Sequence, residues 1–226
     1  YFLNRDLPPI LYLKIFVIME SIDFKSLKEE VFKTFRLAYP VIIGQLGIIM
    51  MGVVDSIMVG QLGPVPLAAA SLGNSLIFII LIIGIGSSIV VSPLVAILVG
   101  GNRFSECGTY FRQSLVVNIA LSLVMIIIIL LGVNFIYLLN QPPEIIEQTI
   151  IYMSIVGLSA FPLMIYQTYK QFIEGLSVMK PAMIIALSAN FINAFANWVL
   201  IFGEMGFPKL GIAGAAWATF ASRVFM

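Results

Sequence analysis

Asp55 is the only ionised side chain between Arg36 and Arg103, in a stretch otherwise built mainly of Ile, Val, Leu, Met, Gly and Ala. Val53-Val54 precede it and Ile57-Met58-Val59 follow it. An acid in hydrocarbon costs about 2.5–3.5 kcal/mol on insertion scales, and a chain that carries this cost usually uses the group for ion, proton or substrate traffic. The bland alternative is an acid at a helix end, solvated by headgroups. Asn190, Asn193 and Asn197 form a second constellation. Spacings of three and four put the three amides on one helical stripe. A carboxylate with amide carbonyls is a hard oxygen set, suited to Na⁺ or to holding a protonatable acid. The same stripe also serves plain hydrogen bonding between helices, and spacing alone leaves both readings open. Gln45, Asn74, Ser87, Ser88, Asn118, Gln167 and Thr219 lie singly in apolar surroundings and read first as packing contacts.

Elements must position these groups, and composition says what solvent surrounds them. The chain has 226 residues, 61% hydrophobic and 10% charged. Soluble domains are about 45–50% apolar and about 25% charged, so lipid is the solvent for most of this chain. The net charge of +1 gives no reason to expect nucleic acid. Histidine is absent, which removes the commonest general base and metal ligand. One cysteine, Cys107, rules out an internal disulfide and reads as a reduced bystander in a polar segment. Without a nucleophile and base or a metal set, the chain does not read as an enzyme, and no cofactor is implied.

Charged or turn-rich breaks divide the chain into six apolar blocks, near 34–60, 67–99, 108–139, 147–172, 181–202 and from 211 onward. Each of the first five exceeds the roughly 20 residues needed to cross the hydrocarbon core. The fold class is therefore all-α, a polytopic six-transmembrane-helix bundle. Pro40 either kinks the first helix or marks its start. Small residues at Gly84, Ser88, Gly211, Gly214, Ala215 and Ala218 allow close helix approach. Basic residues fall on alternate breaks: Lys25 to Arg36 before the first block, Arg103 and Arg112 at the second break, Lys170 and Lys180 at the fourth. That is the positive-inside pattern with a cytoplasmic N-terminus. It puts Asp55, about 28 Å along a helix from Arg36, in the outer half of the bilayer. Residues 1–18 read as a non-native or upstream extension ahead of a start at Met19, residues 19–33 as a cytoplasmic lead-in, and 34–226 as one transmembrane lobe cut off in its sixth helix.

Several segments, in order along the chain, resemble the MATE multidrug and toxin extrusion transporters. They are Pro40-Val41-Ile42 with Gln45, Val54-Asp55-Ser56-Ile57-Met58-Val59-Gly60, Leu67-Ala68-Ala69, Glu174-Gly175, Lys180-Pro181-Ala182-Met183, Asn193 with Asn197-Trp198, and Gly211 to Thr219. The resemblance covers about 33–226 and corresponds to the N-terminal lobe of a twelve-helix fold with two six-helix lobes. It implies an antiporter of the bacterial-type inner membrane that exports organic cations, drugs or toxins by alternating access, in exchange for Na⁺ or H⁺. It implies ion or proton binding at Asp55, Asn193, Asn197 and Thr219, with Pro40, Gln45 and Asn190 bending helices or lining the cleft. Asn197, where some branches carry an acid, is closer to the NorM-like pattern. The implied partners are the lipid bilayer, small organic cations and a C-terminal lobe. A flippase for lipid-linked sugars, from the same wider superfamily, is the rival. It would carry arginines in the cleft, and none stands well inside a block by this reading. A structural membrane subunit is a further alternative.

Overall fold

Apolar runs punctuated by proline and glycine fold as helices in the computed structural model, which describes residues 24–226. The expectations about residues 1–18 and a start at Met19 lie outside the described residues. The chain divides into a unit up to Tyr39 and a unit Pro40–Met226. In the first unit, the described residues form the beginning of a helix, with an exposed 2.8 Å ion pair between Lys33 and Glu30.

The helices in chain order are α1 (Phe24–Gly60), α2 (Pro64–Ile89), α3 (Val91–Gly100), α4 (Phe104–Gly132), α5 (Pro143–Leu158), α6 (Ala160–Gly175), α7 (Lys180–Phe202) and α8 (Ile212–Phe225). A 3-10 helix, Val133–Leu139, extends α4. Among the described residues, four spans are long and apolar enough to cross a membrane: Leu27–Gly60, Pro64–Gly100, Phe104–Leu139 and Lys180–Phe202. The α5–α6 pair, bent by 42°, is long and apolar enough only when the two helices are taken together, as a broken span or a re-entrant loop. The sixth block gives α8, 14 residues from Ile212 to Phe225. The described residues contain no β-strand.

Both internal breaks have one cause. Val90 separates α2 from α3 and Ser159 separates α5 from α6; Pro93 and Pro162 follow three residues later. A proline has no N–H to give to the carbonyl four residues back. The ladder therefore loses its bond to Ile89 in one case and to Leu158 in the other. Pro40 acts differently: it lies inside α1, which continues through it.

In the Pro40–Met226 unit, α2 packs against α5 and α4, α6 against α4 and α3, and α8 against both α7 and α5. The core joins Ile77 and Leu81 of α2 to Met125 and Ile129 of α4, Tyr152 and Val156 of α5, and Ala215 and Ala216 of α8. Ile79, Ile83, Ile97, Leu131 and Phe191 point outward and are exposed, as expected where lipid is the solvent. Close approach needs missing side chains at two points. A Cβ on Gly84 would lie 2.5 Å from the sulfur of Met164 and 2.8 Å from that of Met125. A Cβ on Gly214 would run into the backbone of Leu200, 2.5 Å from its carbonyl carbon. The loop between α7 and α8 folds back onto the same backbone, with Leu210 donating to the Leu200 carbonyl (3.0 Å) and Gly211 to that of Ile201 (3.3 Å). Cys107 is a free cysteine, buried among Val91, Val95 and Leu98.

Candidate functional site

Three helices meet at Asp55. Its position in the last turns of α1 brings the carboxylate to the α7–α8 pair, whose spacing Gly214 keeps small. Asn197 Nδ2 of α7 donates to Asp55 Oδ1 at 2.5 Å. Thr219 Oγ1 of α8 donates to Asp55 Oδ2 at 3.1 Å. Asn193, one turn before Asn197, accepts from Asn197 Nδ2 through Oδ1 at 3.2 Å. Asp55 is 8% exposed, Thr219 4%, and both asparagines 0%. The fold thus joins Asp55, Asn193, Asn197 and Thr219 into one hydrogen-bonded group.

The group is polar beyond its internal needs. Asn197 Oδ1 and Asn193 Nδ2 are buried without a hydrogen-bond partner. Such atoms cost about 1–3 kcal/mol each, which makes the arrangement poor as pure packing glue. Carboxylate, amide and hydroxyl oxygens together are the donor types that hard cations take. Among the described residues no group of three or more His, Cys, Asp or Glu could hold a metal ion, so the chemistry available is that of one acid with neutral oxygen donors.

Asp55 and Thr219 also border a cavity of about 540 Å³ within the Pro40–Met226 unit. Its wall is polar at Asn74, Gln167, Tyr152 and Arg223 and apolar at Met51 and Phe78, among others. A volume in the range of small-molecule pockets, mostly apolar with a few convergent polar groups, suits an organic ligand. Tyr152 OH donates to Asn74 Oδ1 at 3.1 Å, fixing one wall between α5 and α2.

The other expected residues lie elsewhere. Asn190 donates to the Gly47 carbonyl of α1 and is not part of the cavity wall. Gln45 accepts from Lys170 Nζ at 3.3 Å and is likewise absent from that wall, as is Pro40. Lys170 corrects the loop reading: it lies inside α6, 8% exposed, 3.9 Å from Glu174. Its flexible stem allows a base near a helix end to turn inward, so it is not a loop charge. The expectation of no arginine within the cleft is corrected as well. Arg223 of α8 is partly buried, lines the cavity and donates through Nη1 to Ser159 Oγ at 2.8 Å. Its four-residue offset from Thr219 was the available signal. Tyr152 had none, since tyrosine in an apolar block reads as core.

A model of the MatE family matches residues 40–199. The probable multidrug resistance protein NorM of Mesorhizobium japonicum is 34% identical over 201 residues, covering 88% of this chain and 43% of that protein. The multidrug resistance protein NorM of Vibrio cholerae is 29% identical over 192 residues, covering 85% of this chain and 42% of its own. A solved structure of a MOP superfamily transporter from Pyrococcus furiosus superposes with a TM-score of 0.77 at 23% identity, covering 84% of this chain and 41% of that one. An outward-facing multidrug resistance MATE family transporter gives the same TM-score and identity, with 84% and 42% coverage. These structures agree in fold. The chain spans less than half the length of the relatives it matches.

Proposed function

We propose, for a chain that belongs to the MatE family, that it forms one lobe of an antiporter exchanging Na⁺ or H⁺ for organic cations, drugs or toxins by alternating access. The chain is a multi-pass integral membrane protein, and its family points to a transporter rather than a catalyst. The proposal sets it in a bacterial inner membrane with its N-terminus in the cytoplasm, beside a second lobe that completes the cleft.

One observation carries this reading. Asp55, the one acidic side chain on the cavity wall, is buried with each carboxylate oxygen accepting from a neutral donor on a different helix. Neutral donors stabilise the carboxylate without cancelling its charge, so an entering cation meets an uncompensated anion. Na⁺ fits the oxygen types present: Asp55 supplies charge, Thr219 Oγ1 a hydroxyl, and Asn197 Oδ1 and Asn193 Oδ1 amide carbonyls. A proton needs Asp55 alone.

Coupling follows from where the donors sit. Asn197 and Thr219 belong to α7 and α8, and Asp55 to α1. Cation binding changes what holds α1 to the other two helices, on the border of the cavity where an organic cation would lie. A ligand shifts a conformational equilibrium only by its difference in affinity for the two states, and the linkage between two ligands is reciprocal. Asp55→Asn keeps the size and one acceptor oxygen but removes the charge. In proteoliposomes carrying the full-length, two-lobed protein under an imposed Na⁺ or H⁺ gradient, this variant is expected to lose gradient-driven ethidium efflux while inserting normally. Wild-type efflux by the variant would refute the assignment.

The flippase reading gains an arginine from Arg223. It gains no net positive field, because the charged side chains on the cavity wall are one Arg223 and one Asp55. The cationic-substrate reading is retained on that balance.

A further inference from the structure

Arg223 is a cation in the same cavity as Asp55, and no carboxylate lies within ion-pair distance of it among the described residues. Its recorded hydrogen-bond partner is the hydroxyl of Ser159. Ser159 in turn donates to the carbonyl of Val156, so the guanidinium stands at the C-terminal end of α5. That end carries the partial negative charge of unpaired carbonyls, a modest attraction for a cation. A buried carboxylate offers a far stronger one. Arg223 lies one helical turn beyond Thr219, a rise of about 6 Å, and Thr219 is already bonded to Asp55. A side chain as long as arginine covers such a distance by changing rotamers.

Resting on the reading of Asp55 as the cation site, we propose that Arg223 is a tethered internal cation with two seats, Ser159 at the α5–α6 break and the Asp55 carboxylate, and that it competes with the coupling ion for Asp55. With the ion bound, Arg223 is held on Ser159. When the ion leaves, Arg223 moves to Asp55, cancels the exposed charge and releases the break. It is thus a positioning residue that weakens ion binding and makes release possible. The titratable or charged side chains around the cavity are Asp55 on α1, Tyr152 on α5 and Arg223 on α8; α2 and α6 add only neutral polar groups there, and α7 brings the amides of Asn193 and Asn197 to Asp55. Tyr152 is engaged with Asn74, which leaves Arg223 as the internal rival for Asp55 among the described residues.

The two tryptophans are built-in reporters: Trp198 follows Asn197 and Trp217 precedes Thr219 by two residues. The test is a titration of the full-length, two-lobed protein in lipid nanodiscs, read by tryptophan fluorescence and by binding of radioactive Na⁺. Na⁺ is varied against choline at fixed pH, and pH is varied in choline chloride. Arg223→Gln is expected to bind the cation about tenfold more tightly or better, and Arg223→Lys to stay near wild type. Ser159→Ala, which removes the competing seat, is expected to bind it more weakly. Circular dichroism and gel filtration check that each variant folds; where Arg223→Gln fails, the opposite shift in Ser159→Ala carries the test. Unchanged or weaker binding in folded Arg223→Gln, or unchanged binding in folded Ser159→Ala, overturns the two-seat proposal. If Asp55→Asn still abolishes the response, the Asp55 reading survives that result. A response that persists in Asp55→Asn, or is absent from wild type in both titrations, overturns both.

Discussion

Two buried charges tie α1 to the rest of the Pro40–Met226 unit, and they are treated in opposite ways. At Gln45, the partner charge is Lys170, which also lies 3.9 Å from Glu174 one turn along its own helix. That base has a local counter-charge, and neither Gln45 nor Lys170 lines the 540 Å³ cavity. At Asp55 the carboxylate has only neutral donors, orphaned amide atoms beside it, and open cavity in front. A compensated pair fixes helices in place. An acid held by neutral donors and facing space fits the proposed role of accepting a cation. Burial alone does not separate the two, since Asp55 and Lys170 are both 8% exposed.

The contrast can be broken at either end. Asp55→Asn is expected to have the largest effect, the loss of the proposed coupled efflux in the full-length protein. Next, Asn197→Ala removes a hydrogen bond to a charged group, worth about 1.5–3 kcal/mol. Apparent Na⁺ affinity is expected to fall about 10- to 100-fold, alongside a loss of stability of about 1.5–3 kcal/mol; a lower melting temperature with Na⁺ affinity unchanged would make Asn197 a structural residue. Lys170→Met departs from this pattern. It leaves the mostly buried Glu174 without its base and is expected to cost about 1–3 kcal/mol of stability. Ion affinity should be preserved, and Lys170→Met/Glu174→Gln should recover much of the loss. An effect of Lys170→Met on Na⁺ binding would erase the distinction between the regions. Thr219→Val removes a single hydroxyl donor, about 1 kcal/mol, and is expected to lower Na⁺ affinity about fivefold.

The legible part of this molecule is set by contrast with hydrocarbon. One acid in a long apolar block and amides at spacings of four and three stand out because each is expensive there, and the fold brings Asp55, Asn193 and Asn197 together as their types imply. Helix limits were marked by Gly60, Pro64 and Gly203, which end or start ladders for reasons local to the backbone. What escaped was direction and depth. Lys170 sits near a helix end, where a flexible base turns either way, and only packing decides. Arg223 lies close to the last residue of the chain, where an arginine reads as a flanking charge. The 42° bend at Ser159 had a sequence cause in Pro162, but a proline in an apolar block does not say whether the helix kinks or runs on, and Pro40 runs on.

Gly214 bonds to no ion and touches no ligand, yet it sets the gauge between the helices that carry Asn197 and Thr219. The width of the proposed cation seat is thereby governed by a single hydrogen atom in place of a methyl group. Selectivity among ions of different radius can then drift through apolar substitutions along this seam, while every coordinating oxygen stays the same.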